Sequence, residues 1–234
     1  MSDFYKIRIE KISPVDLLGS LNDVEEKFSP KVIFYKGHAE LVQSNPRASI
    51  IGTRNPSQKG IENAREVTKF LVEKKIVIVS GLAKGIDSIA HKTTIENGGK
   101  TIGVLGTPIT QYYPKENREL QNMIAKDHLL ISQFELNASV RPQNFPMRNR
   151  TMALFSNISI IIEAGKTSGT EHQGWEALRL GRPLFIMDEI ANNKSLVWPQ
   201  KLLEYGAQKL SISNLNALLE FLPYPLVTIE NGFN

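Results

Sequence analysis

Cysteine is absent from the 234 residues. That excludes disulfides, thiolate catalysis and cysteine-based zinc binding, and it suits a reducing cytosol. Histidine is scarce: the four present are scattered, with no spacing that gathers a metal. No apolar run approaches the ~18 residues that span a bilayer, so no membrane partner is expected. The opening MSDFYKIRIEK alternates in charge where a signal peptide carries an apolar core, and the expected location is cytoplasmic. Neither GxGxxG nor a Walker A motif occurs, so an ordinary dinucleotide site or P-loop is not indicated and no cofactor is expected. Internal repeats, low-complexity tracts and heptads are likewise missing.

What is present is ordinary for a globular chain: 41% hydrophobic and 22% charged residues. The length fits one large α/β domain, or one domain with a small appendage. A net charge of +4 and a pI near 9.2 make the chain mildly basic, which is compatible with a polyanionic partner.

The stretch from Ala48 to Asp87 organises the rest. An apolar run, Ala48 to Ile51, ends in Gly52-Thr53-Arg54. A helical pattern from Gly60 to Lys75 follows, and then a second apolar run, Ile76 to Val79, ends in Ser80-Gly81-Leu82-Ala83-Lys84-Gly85. Parallel neighbouring strands place both turns at one carboxyl edge, where open α/β sheets bind ligands. Backbone N–H groups and helix N-termini there suit a phosphate, and Arg54 and Lys84 add full charges.

Beyond Asp87, short apolar runs keep alternating with helical patterns. Strands are expected at Thr101–Leu105, His128–Phe134, Ile158–Ile162, Pro183–Met187 and Gln208–Leu210. Helices are expected at Ile86–Glu96, Asn117–Lys126, Arg148–Phe155, Glu171–Leu180, Pro199–Tyr205 and Asn214–Phe221. This alternation predicts an α/β chain with a Rossmann-like, doubly wound, mostly parallel sheet and helices on both faces. Residues 1–44 read as a short N-terminal extension with a capped helix and a strand, packed on the core. Residues 45–212 read as the Rossmann-like domain, and 213–234 as a C-terminal helix and tail.

Several further stretches carry chemistry. Asp87 and His91 share one helix face and read either as a pair that orients a ligand group or, preferably, as a first-turn acid facing its helix dipole beside a packed histidine. Tyr112-Tyr113-Pro114-Lys115-Glu116-Asn117 reads as a capped loop or as a ligand-lining one, with Asn117 as the cap. Between Glu135 and Glu163 no acid occurs, yet Arg141, Arg148 and Arg150 do, with Phe145 among them. Cations that track phosphates and a ring on which bases stack are what single-stranded nucleic acid binding needs. The stretch from Glu40 to Glu62 is also free of acids and holds Arg47, Arg54 and Lys59. After the Ile158 run, Gly169-Thr170 opens a helix whose N–H groups can meet phosphate, and Glu171, His172 and Glu176 place acid–base groups nearby.

Taken together, IIGTRNPS, VSGLAKGIDSIAH, GVLGT with YYPKEN, ISQFE, RPQNFPMRNRTMALFS, IIIEA and SGT with EALRLGRPLF resemble the DNA-processing protein A (DprA/Smf) family in order and spacing. The resemblance covers about residues 30–190. It implies an extended Rossmann fold, single-stranded DNA as ligand, a homodimer and a RecA-type recombinase as partner in DNA uptake, natural transformation or recombination, with no enzymatic activity. By position it implies a DNA groove of Arg54, Lys84, Arg141, Phe145, Arg148, Asn149 and Arg150. The turn residues Gly52, Thr53, Ser80, Gly81, Gly85, Ser168, Gly169 and Thr170 would complete the phosphate contacts.

Departures are visible. SGTEHQGWEALRLGR stands where the family has SGSLITAxxALExGR, so Glu171, His172, Gln173 and Trp175 replace small or apolar residues. The family's C-terminal winged-helix-like domain has no counterpart in this sequence. A rival likeness connects RNRTMALFSNISIIIEAGKTSGTEHQGWE to LOG-type nucleotide phosphoribohydrolases. On that reading Gly169-Thr170 matches their GT, no Pro-Gly-Gly precedes it, and Glu171 or Glu176 would be catalytic. A non-catalytic sensor of a small nucleotide is the remaining alternative.

Overall fold

The computed structural model describes residues 8–165 and 169–223. Ser168 and the tail past residue 223 lie outside the described residues. The chain runs β1 (Glu10–Ile12), α1 (Pro14–Leu18), α2 (Asp23–Phe28), β2 (Ile33–Gly37), α3 (Leu41–Ser44), β3 (Arg47–Gly52), α4 (Gln58–Glu73) and β4 (Val77–Ser80). It continues through α5 (Ile86–Glu96), β5 (Thr101–Leu105), α6 (Arg118–Asp127), β6 (Leu129–Ser132), α7 (Asn144–Leu154) and β7 (Ile158–Glu163). It closes with α8 (Gly169–Arg179), β8 (Leu184–Met187), α9 (Asp188–Ala191), α10 (Trp198–Glu204) and β9 (Gln208–Leu210). The helix expected over Asn214–Phe221 is present as 3-10 turns spanning Ile212–Phe221.

One sheet carries all nine described strands in the order β1-β2-β6-β5-β4-β3-β7-β8-β9. From β6 to β9 every pairing is parallel. From β3 the chain steps outward through β4, β5 and β6, then returns to lay β7 on the other side of β3. The crevice between β3 and β7 is therefore the topological switch point, where open α/β sheets bind ligands. The N-terminal segment does more than pack on the core. Its β2 extends the sheet antiparallel to β6, pairing Phe34 with Ser132 and Gly37 with Leu129, and β1 adds to β2.

The strands read as continuous apolar runs because both faces are covered. Along β3 and β7, Ile50, Ile158, Ile160 and Ile162 pack with Ala64, Val67 and Leu71 of α4. Ile51 and Ile161 point to the opposite face and join Met152 of α7, Ala177 of α8 and Leu202 of α10. The same cluster takes in Leu17, Ile33, Leu41 and Val42, so the N-terminal segment shares this core. The 3-10 segment at 212–221 packs through Leu215 and Leu218 beside α4.

His91 bears out the packed-histidine reading. It is fully buried on α5, and its Nδ1 lies 2.7 Å from Thr101 Oγ1. Thr101 gives its only hydroxyl proton to the Ile78 carbonyl at 2.8 Å, so Nδ1–H of His91 is the donor. Burial pushes the His91 pKa down to about 3, so the ring is neutral in the fold. A group whose folded pKa is depressed below its unfolded value near 6.5 binds fewer protons in the fold than out of it across that window. Folding stability should therefore decline as pH falls from about 6.5 toward 3. Urea midpoints at pH 7 and pH 4.5 check this: His91→Leu should lose less stability between the two than the parent does.

A two-chambered cleft at the carboxyl edge

The turn after β3 and the turn after β4 are laced together before any ligand arrives. The Ile86 amide donates to the Thr53 carbonyl at 3.2 Å, and the Thr53 amide donates to the Glu163 carbonyl at 2.7 Å. Gly85 adopts a φ of +76°, and a Cβ there would lie 2.3 Å from the Thr53 carbonyl oxygen, so this position requires glycine. Leu82 sits at φ +57° without being glycine. It is fully buried, and Asn117 Nδ2 holds its carbonyl at 2.8 Å. Asn117, expected as a helix cap, thus makes no side-chain capping bond and pins the β4 turn instead. Ser80 turns inward, its Oγ donating to the Ile50 carbonyl at 2.7 Å.

Arg148, on α7, reaches under these turns. Its Nη1 donates to the Gly81 and Val104 carbonyls, the latter at 3.2 Å, and its Nε donates to Asn149 Oδ1 at 3.0 Å. Nη1 also lies 3.9 Å from Asp87 Oδ2, and both side chains are buried. A Cβ on residue 81 would stand 1.5 Å from Nη1, so only glycine leaves room for the guanidinium. Burial pushes the Asp87 carboxyl upward, and the nearby Arg148 pulls it back. Burial likewise lowers Arg148, with Asp87 opposing.

Around this clasp lie two chambers that share Arg54, Ala83, Phe145 and Arg148 in their common wall. The inner chamber, about 460 Å³, sits at the switch point and is lined by Gly52, Thr53, Asn149, Gly169, Thr170 and Gln173 among others. The outer one, about 610 Å³, is lined by Gly81, Lys84, Tyr112, Tyr113, Lys115 and Glu116. Both fall in the size range of small-ligand sites. The Phe145 ring rests on Gly106, where a Cβ would come within 2.7 Å of it. The exposed guanidinium of Arg54 stands 5.8 Å from the ring centroid, close enough for a cation–π contact.

The sequence-expected residues thus separate. Gly52, Thr53, Arg54, Gly81, Lys84, Phe145, Arg148, Asn149, Gly169 and Thr170 line the cleft. Ser80 and Gly85 build its floor without lining it, and Arg141 lies on the exposed approach to α7. Arg150 points away, donating to both oxygens of Glu176 at 2.9 and 3.1 Å, while Arg179 joins the same carboxylate at 2.8 Å. Both guanidinium groups lie over the Phe28 ring. Glu171 borders a separate depression with Val197 and Lys201. Neither carboxylate weighed for hydrolysis therefore faces the cleft.

Not every charge lining the cleft is free. Lys84 Nζ is 2.5 Å from Glu116, with both side chains more than half exposed, and this contact holds the Glu116 carboxyl below its usual range. Arg54 and Lys115 have no carboxylate partner among the described residues. The site also contains a residue that sequence reasoning marked only as a departure. Gln173 is 1% exposed, lines the inner chamber, and has no hydrogen-bond partner for either Nε2 or Oε1 among the described residues. The break from the expected SGSLITA pattern was the signal for it.

Arg148 and Arg54 should respond oppositely to truncation. Arg148→Ala strips Asp87 of its buried counter-charge and frees two carbonyls, so it should cost about 3–5 kcal/mol in denaturant unfolding. Arg54→Ala, on an exposed side chain, should stay within about 0.5 kcal/mol of the parent in the same measurement.

Residues 19–223 match the family model described as DNA recombination-mediator protein A. The DNA processing protein DprA of Streptococcus pneumoniae is 37% identical over 198 residues, which cover 82% of this chain and 67% of that protein. DprA of Bacillus subtilis is 34% identical, over 83% of this chain and 65% of that protein. The chain spans about half to two thirds of the length of the curated relatives it matches. Among solved structures, DprA of S. pneumoniae superposes with a TM-score of 0.77 at 33% identity, covering 93% of this chain and 75% of that one. DNA processing protein A of Helicobacter pylori, described for its single-stranded DNA binding mode, gives 0.75 at 27% identity, covering 94% and 99%. A molybdenum cofactor binding protein of Rippkaea orientalis, at 0.55 and 17% identity over 76% of this chain and 97% of that one, shares the fold alone. The chain belongs to the DNA recombination-mediator protein A family.

Proposed function

We propose that this chain binds single-stranded DNA without base specificity, through the cleft at the carboxyl edge of its sheet. The observation that carries the reading is the Arg54 guanidinium, without a carboxylate partner among the described residues, set over the Phe145 ring at the shared wall of the two chambers. A cation free to meet phosphate, beside a ring fixed for stacking, is the pairing that sequence-tolerant strand binding uses. The α8 N-terminus at Gly169 and Thr170 adds a positive dipole end to the inner chamber. The Gln173 amide, unpartnered among the described residues, offers a donating NH2 group and an accepting carbonyl to whatever enters. The single-stranded DNA named for the H. pylori relative supports the same choice of ligand.

In this reading the protein loads or protects single strands during DNA processing, uptake or recombination. It acts as a homodimer, hands its strand to a RecA-type recombinase, works in the cytoplasm, and performs no chemical step. Arg150 and Ser80 stabilise the fold rather than contact DNA. The nucleotide-hydrolase alternative loses its proposed acids, since Glu176 is held by two arginines and Glu171 faces elsewhere.

Fluorescence anisotropy with a labelled oligo-dT of ~20 nucleotides, across a salt series, tests the reading. Affinity should fall steeply with salt, and Arg54→Ala should weaken binding alike for all sequences while flattening the logarithmic salt slope by about 0.7. Salt-independent binding, or displacement of the strand by micromolar nucleoside monophosphate, would overturn the DNA reading in favour of a nucleotide site. Glu116→Gln provides the converse measurement. It releases Lys84 from its pair, so affinity should rise and the slope should steepen by about 0.7.

A further inference from the structure

We infer that the outer chamber is a nucleotide subsite of its own, with the exposed face of Tyr113 as the platform on which one base of the bound strand stacks. The inference rests on the single-stranded DNA reading and adds a residue and a place to it. Two adjacent tyrosines line this chamber, and they are not equivalent. The Tyr112 hydroxyl donates to Asn122 Oδ1 at 2.9 Å, and the Arg118 guanidinium covers its ring at 4.9 Å. Tyr113 is 46% exposed and leans on Phe145, with centroids 5.3 Å apart and planes tilted by 44°. Its inner edge is thereby fixed by a ring that is itself seated on Gly106, while its outer face remains accessible.

The charges around the ring match a nucleotide rather than an apolar side chain. Lys115 follows within two residues, Arg54 stands on the shared wall, and Lys84 lies opposite, offset by Glu116. An aromatic face rimmed by cations fits a flat base joined to a phosphate, and such stacking tolerates any base because every base has a π-face. The chamber is also continuous with the Arg54–Phe145 wall, so a strand whose phosphate meets Arg54 has Tyr113 within reach of a neighbouring nucleotide.

Anisotropy with oligo-dT and with an abasic strand of equal length separates stacking from charge. Tyr113→Ala should weaken oligo-dT binding about 5- to 150-fold, the range of one lost stack, without changing the salt slope. It should leave the abasic strand bound as the parent binds it, and Tyr113→Phe should restore the parent affinity for oligo-dT. Tyr113→Trp supplies an optical readout. Its fluorescence, corrected for the two native tryptophans, should be quenched by oligo-dT and not by the abasic strand. Unchanged oligo-dT affinity in Tyr113→Ala, or equal losses for both strands, overturns the subsite while leaving the DNA reading intact. Failure of the parent to bind either strand overturns both.

Discussion

A single buried guanidinium holds the functional edge together. Arg148 enters from α7, crosses beneath the β4 turn, and bonds the carbonyls that end β4 and β5. A charge taken this far from water is tolerable only with a counter-charge and saturated donors, and Asp87 on α5 supplies the first. Three consequences follow from that one placement. Residue 81 must be glycine, α7 cannot rotate about its own axis, and Phe145, one turn earlier on α7, is held at the mouth of the cleft. The turn after β4 is thus fixed from beneath by an arginine whose guanidinium is engaged by the Gly81 and Val104 carbonyls and by Asp87.

The electrostatics of the edge are correspondingly selective. Of the basic residues near it, Arg148 and Arg150 are committed inside the protein, and Lys84 is half-neutralised by Glu116. Among the described residues Arg54, Lys115 and the exposed Arg141 have no carboxylate partner, and on the proposed reading these are the cations that meet phosphate. Among the described residues the cleft thus carries a few directed cations beside the Tyr113 and Phe145 rings. The two chambers differ in lining: the inner one holds the start of α8 and the Gln173 amide, the outer one the Tyr112 and Tyr113 rings.

Local pattern carried the fold a long way. The β3–turn–α4–β4–turn unit was readable because each step is short-range: apolar β-branched runs, glycine at the turns, and a helical pattern between them, whose N-cap the structure places at Ser57. The doubly wound class followed from the alternation itself. The antiparallel pairing of β2 with β6 was not readable, since some ninety residues separate the partners and nothing in either strand names the other. Asn117 does hold the N-cap position of α6, but its side chain bonds elsewhere for a related reason. Its cap-like position in the sequence is real, but a buried carbonyl at Leu82, 35 residues away, competes for its amide and wins.

The arginines of FPMRNR mark where sequence stops and tertiary structure begins. By itself the sequence determined that Arg148 and Arg150 would lie on a helix in an acid-free stretch next to Phe145, at the ligand edge of a parallel sheet. It could not separate their roles, because their charges and neighbours are alike. Two residues apart on a helix, they point about 200° away from each other. One therefore meets the carbonyls and carboxylate beneath the cleft, and the other meets Glu176 and Phe28 on the far side. Only the packing of α7 between the sheet edge and α8 decided which of the two cations sits beneath the cleft and which braces α8 against Phe28.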